Sequence, residues 1–95
     1  GRSEIRQIVN IQIHGLTARL QERGVTLHVS TEALDRLGEA GFDPLYGARP
    51  LKRAIQQELE NPLAQQLLAG RYPPGSSVEV SVGREGLNFK APTRH

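Results

Sequence analysis

Ninety-five residues, 37% hydrophobic and 23% charged, suit a single domain spanning 1–95 with a modest core, and exclude both a second domain and a disordered composition. A formal net charge of +2 is too small and too evenly spread to indicate a nucleic-acid partner, and the absence of cysteine excludes disulfides and thiolate metal sites. No apolar run approaches the ~20 residues that span a bilayer, and the N-terminus lacks a charged-then-apolar leader, so a cytoplasmic protein with no membrane partner is expected.

The chain opens abruptly at Gly1-Arg2-Ser3, just before a strong helical pattern, which suits an excised piece of a larger protein; a genuine short protein is the alternative. Between Ser3 and Arg23, Ile5, Ile8, Val9, Ile13, Leu16 and Leu20 recur at helical spacing, and Ile11 widens the stripe enough to cover more than one face. Gly24 suits a left-handed helix cap. Val25, Leu27 and Val29 then alternate with Thr26 and His28, the period of a strand with one buried face.

Ser30 is a good N-cap and Glu32 complements the dipole, so a second helix is predicted from about Thr31 to Ala40, with Leu34 and Leu37 inward beside Ala33. Gly41 ends it, and Asp43-Pro44 forbids continuation because a residue before proline avoids the α region. Phe42 is expected to plug the core behind the helix end.

Leu51, Ile55 and Leu59 predict a third helix from Pro50 to about Glu60, with Pro50 at its first position and Arg49 at the cap. Pro62 breaks or kinks it, and Asn61 as cap restarts a fourth helix with Leu63, Leu67 and Leu68 inward and Gly70 at its end. Glu58 and Glu60 are placed to pair along the helix face with Lys52, Arg53 and Gln56. After turn residues Tyr72 to Ser76, Val78, Val80 and Val82 alternate with polar residues, as do Leu87 and Phe89 beyond Gly83-Arg84-Glu85-Gly86. This predicts a hairpin, completed into a three-stranded sheet by the strand at 26–29 because a lone hairpin is marginal in water. The expected class is α+β, about four helices packed with a small sheet.

The cations at 49, 52 and 53 stand out because a helix N-terminus carries partial positive charge and each exposed cation there costs roughly 0.3–1 kcal/mol. A phosphate would offset that, since free backbone N–H groups and an Arg fork form an anion site. Lys52 and Arg53 are adequately explained as solvated surface residues. No G-x-x-x-x-G-K-[ST] loop exists: Gly70 to Ser76 puts Ser76 where the Lys must stand and contains Pro73-Pro74, which removes backbone donors. Nor does a hydrophobic strand end in paired acids that could hold Mg²⁺. The chain alone is therefore not expected to be an enzyme.

His14, His28 and His95 share no metal spacing, and Ser30, Ser76 and Ser77 are explained by caps and turns, so no metal or nucleophile site is expected. Of the two tyrosines and two phenylalanines, only Tyr46 and Tyr72 are expected to be free to stack on bases, which disfavours nucleic acid further.

The run Gly41-Phe42-Asp43-Pro44-Leu45-Tyr46-Gly47-Ala48-Arg49-Pro50-Leu51-Lys52-Arg53-Ala54-Ile55-Gln56 resembles the sensor-2 segment of Clp-family AAA+ ATPases. Its continuation Glu60-Asn61-Pro62-Leu63-Ala64-Gln65-Gln66 is most similar to the ClpB-type disaggregases, and the resemblance extends from about Glu4 to about Val82. It implies the small C-terminal lid subdomain of a nucleotide-binding module, with Arg49 reaching the γ-phosphate of ATP gripped by the large subdomain of the same chain. Ala48 and Ile8 resemble positions lining the base side of the nucleotide; for Ile8, plain helix core explains the residue at least as well.

By the same resemblance the parent would bind ATP or ADP with Mg²⁺ and assemble as a homohexamer. It would thread unfolded or aggregated polypeptide through its pore alongside a DnaK-type chaperone, while this segment alone would hold no nucleotide tightly. The alternatives are the lid of a protease-coupled Clp unfoldase, or a free-standing interaction module using the loop around Leu45 and Tyr46.

Overall fold

The computed structural model describes residues 2–91. Helix α1 (Arg2–Glu22) buries Val9, Ile13 and Leu20, while Ile5 and Leu16 pack partly on the core. Ile8 is 37% exposed and Ile11 73% exposed, because Val9 and Ile13 take the inward direction and no described element covers the flank. The helix stops in a Schellman motif: Gly24, at φ 79°, donates to the Gln21 carbonyl and Val25 to that of Leu20, both at 2.9 Å.

Strand β1 (Thr26–Val29) buries Leu27 and exposes His28. Ser30 caps α2 (Thr31–Gly41) as its type predicts, its hydroxyl accepting from the Ala33 N–H at 3.1 Å. Ala33, Leu34 and Leu37 point into the core. Gly38 lets α1 approach, since a Cβ there would meet Ile5 Cγ2 at 2.6 Å. Gly41 is required by packing rather than by a left-handed cap, for a Cβ would lie 2.5 Å from Leu51 Cα. Phe42 is not a core plug: Leu51 already fills the space against the helix end, and Phe42 is 45% exposed.

The predicted break at Pro62 is instead a local widening within one continuous helix, α3 (residues 51–68). Leu51–Ile55 are α-helical, Gln56–Glu60 form a π turn, and Asn61–Leu68 return to α. Proline at 62 offers no N–H and its ring crowds the carbonyl four residues back, that of Glu58. The chain responds by letting the Asn61 N–H reach the Gln56 carbonyl, five residues back. Asn61 keeps helical angles, φ −64° and ψ −46°, so no cap restarts the helix, and the described residues hold three helices rather than four. Leu59, within the π turn, and Leu63, just beyond it, are buried, whereas Leu68, expected inward, is 90% exposed at the helix end.

The glutamates of the π turn reach other helices instead of their own face. Glu58 accepts from Arg36 of α2 at 3.1 Å and Glu60 from Arg19 of α1 at 2.9 Å. Arg6 and Asp35 join α1 to α2 in a two-bond fork at 3.0 and 3.1 Å, which raises the Arg6 pKa further above its ordinary value.

A second Schellman motif ends α3, with Gly70 at φ 75° donating to Leu67 and Arg71 to Gln66. The reversal carries Tyr72 into the core at 8% exposure, correcting the expectation of a ring free to stack. Burial raises the Tyr72 phenol pKa above its ordinary value. Ser76 closes a turn on the Pro73 carbonyl, and β2 (Ser77–Val82) follows.

Strand order is β1-β2-β3. β1 runs parallel to β2 with Leu27 beside Val78, and β3 (Leu87–Lys90) is antiparallel to β2 with Phe89 beside Val80. Val78 and Val80 are buried against the helices, whereas Val82, beyond them, is 42% exposed. The class is thus α+β, with one hydrophobic cluster shared by α1, α2, α3 and the sheet.

Candidate functional site

Local hydrogen bonding sets the loop between α2 and α3 more tightly than its length suggests. Asp43 Oδ1 accepts from the N–H groups of Leu45 (2.7 Å) and Tyr46 (3.0 Å), an Asx turn. Asp43 and Gly47 also exchange both backbone hydrogen bonds at 2.7 Å, and Gly47 takes φ 63°, where a side chain would be strained. The Arg49 N–H then donates to the Tyr46 carbonyl at 3.3 Å and that of Leu51 to Ala48 at 3.0 Å, leading into the helix.

Pro50 occupies the cap position, φ −79° and ψ 0°, so α3 starts at Leu51 and Arg49 lies one residue before the cap, a shift of one from expectation. Pro50 contributes no side-chain cap, and Lys52 and Arg53 stand exposed in the first turn, where they oppose the helix dipole. Solvated surface positions are what the sequence predicts for those two.

Arg49 is exposed, and its Cζ lies 5.2 Å from the centroid of the Tyr46 ring, itself 57% exposed. Among the described residues no carboxylate pairs with Arg49, in contrast to Arg6, Arg19 and Arg36. With no described carboxylate on them, the in-plane guanidinium donors are open to a planar or tetrahedral anion.

Ala48 shares the loop with Arg49 and packs partly on the core. Ile8 belongs to α1, where its 37% exposure leaves the plain core explanation unsupported. The loop therefore unites Tyr46, Ala48 and Arg49, and Ile8 stands on another element. Two features were not predicted: the Asp43–Gly47 clamp and the Tyr46 platform. The Asp-Pro pair with glycine four residues after the aspartate signals the clamp, and an aromatic three residues before an arginine hints at the platform.

An apolar groove of about 350 Å³ between α1 and α3 lies elsewhere, lined by Leu16, Leu20, Leu63 and Leu67 together with Arg19 and Glu60. His14 and His28 are exposed, and His95 lies outside the described residues. Among the described residues no group of three His, Asp or Glu side chains is placed to hold a metal, and no helix is long and apolar enough to cross a membrane.

Residues 1–80 match the family described as the C-terminal, D2-small domain of ClpB protein. Similar curated proteins include the chaperone protein ClpB of Vibrio cholerae, 55% identical over 82 residues, and that of Pseudomonas putida, 51% identical over 89. Chaperone protein ClpB 1 of Synechococcus elongatus is 50% identical over 90 residues. These alignments cover 86%, 94% and 95% of this chain and 10% of each relative, so the chain spans about a tenth of the length of the proteins it matches.

Proposed function

The chain belongs to the family of C-terminal, D2-small domains of ClpB, and from that premise we propose that residues 1–95 are the lid subdomain of a larger ATP-dependent disaggregase. Arg49 is its sensor-2 residue, presented to the γ-phosphate of an ATP·Mg²⁺ gripped by the large subdomain of the same polypeptide. One observation carries this reading: an exposed guanidinium, unpaired with any described carboxylate, on a loop pinned at Asp43 and Gly47. A hydrogen-bond fork held ready without a carboxylate partner fits phosphate oxygens, which it can bridge in two parallel bonds.

ATP supplies the transferable phosphoryl group, and this chain supplies charge stabilisation at its γ-oxygens together with a rigid body that can pivot on the large subdomain. Because Arg49 sits on the lid, loss of the γ-phosphate removes a bond between the two bodies and biases the angle between them. Ala48, beside Arg49, and the exposed Ile8 are available to the base side of the nucleotide. In the parent the lid also offers a docking face to the neighbouring subunit of a homohexamer. The ring threads aggregated polypeptide in the cytoplasm together with a DnaK-type chaperone. The ClpB names of the relatives favour this over the lid of a protease-coupled unfoldase.

Arg49→Ala in the full-length protein tests the assignment. Losing a charge-assisted hydrogen bond to phosphate lowers ATP turnover by about 10- to 100-fold, while the lid keeps its thermal midpoint because the side chain is exposed. An unchanged turnover rejects the role.

A further inference from the structure

Arg6, Arg19 and Arg36 are each held by a carboxylate, whereas Arg49 alone among the described residues is held by an aromatic ring. We propose that Tyr46 is the positioning residue for Arg49: its ring is a platform that holds the guanidinium by its face and leaves the donor edge directed outward for the nucleotide phosphate. This rests on the sensor-2 reading of Arg49 given above.

Three observations carry it. The Arg49 Cζ stands 5.2 Å from the ring centroid, inside the ~6 Å reach of a cation–π contact. Core packing does not account for the ring, which is 57% exposed, on a loop whose other apolar tip, Leu45, is 78% exposed. Both partners are fixed to one turn, since the Tyr46 N–H is bonded to Asp43 and the Tyr46 carbonyl receives the Arg49 N–H.

A carboxylate in place of the ring would occupy the same donors the phosphate needs and would have to be displaced at each binding event. A ring imposes no such competition, yet it still narrows the rotamers of a long side chain before nucleotide arrives.

The test uses the full-length protein, steady-state ATP turnover and ADP binding, with Tyr46→Phe, Tyr46→Leu, Tyr46→Ala, Arg49→Ala and the double variant Tyr46→Ala with Arg49→Ala. Phe keeps the ring, and kcat/KM for ATP stays within about twofold of the parent. Leu and Ala remove the π face, and kcat/KM falls about two- to fivefold, the strength of an exposed cation–π contact. ADP, which lacks the γ-phosphate, binds all the variants equally, and the lid's melting midpoint is unchanged. In the Arg49→Ala background, Tyr46→Ala adds nothing. If Arg49→Ala itself leaves turnover unchanged, the sensor-2 reading fails and this inference falls with it. If Arg49→Ala impairs turnover while Tyr46→Leu and Tyr46→Ala are silent, or Phe is as damaging as Ala, or the double variant is additive, the platform is wrong and the sensor reading survives.

Discussion

Gly15 and Gly41 both lie in helices, yet alanine should move stability in opposite directions at the two positions. At Gly41 an added Cβ would stand 2.5 Å from Leu51 Cα, 2.7 Å from Leu51 Cδ1 and 3.1 Å from Leu51 Cβ, where ordinary contact begins at 3.4 Å. The nearest of these is a backbone atom, so no rotamer change relieves it, and α2 must separate from the start of α3. Such overpacking costs about 1–3 kcal/mol, offset by about 0.5–1 kcal/mol from replacing a helical glycine. The middle of these ranges leaves a net loss of about 1 kcal/mol, which for a domain of this size lowers the melting midpoint by about 4–8 °C. At Gly15 a Cβ meets nothing within 4 Å, so alanine contributes its helix preference alone and raises the midpoint by a few degrees. Thermal denaturation of the 95-residue chain followed by circular dichroism reads both. A Gly41→Ala variant melting at or above the parent would refute the close-approach argument.

Ser30→Ala removes the hydroxyl that receives the Ala33 N–H and should destabilise the chain by about 0.5–2 kcal/mol in urea titration; no change would mean the cap contributes nothing. Burial raises the Tyr72 pKa, so its contribution is complete below the unfolded value near 10 and is lost as pH rises from there through the folded value. Tyr72→Phe should therefore flatten the fall in melting midpoint above about pH 10, and superimposable profiles would exclude Tyr72 as its source. Isothermal titration of the isolated chain with ATP should give a dissociation constant of about 1 mM or weaker, since one exposed Arg lacks a phosphate cradle; a micromolar value would place the cradle on this chain.

Short-range chemistry made much of this fold readable. The Ser30 cap, the Gly24 stop and the alternation at Val78 and Val80 each depend on residues close in sequence, and all appear where their types place them. The helix count was not readable at Pro62, because a lost donor can end a helix or widen it. Burial of Leu59 and Leu63 on the same core favours the widening. Tyr72 looked like turn material beside Pro73-Pro74, and only the reversal at Gly70 brings it inward. Phe42 was misplaced because the space behind α2 belongs to Leu51, a contact between helices invisible to periodicity.

At the site, the sequence motif singles out Arg49 as a candidate, but the setting of its side chain was not legible. The cation–π contact with Tyr46 depends on the geometry of a turn closed by Asp43 and Gly47, and composition does not reveal geometry. Glu58 and Glu60 likewise looked like partners for cations on their own helix, whereas the π turn aims them at Arg36 and Arg19 across the helix layer.

Where the Arg49 guanidinium lies once nucleotide is bound decides its role. A structure of the full-length protein with a non-hydrolysable ATP analogue measures this directly. Arg49 nitrogen atoms about 2.7–2.9 Å from γ-phosphate oxygens, with the Tyr46 ring still beneath the guanidinium, are the result predicted. A triphosphate fully coordinated by other groups, with Arg49 in water or paired to a carboxylate, would contradict it.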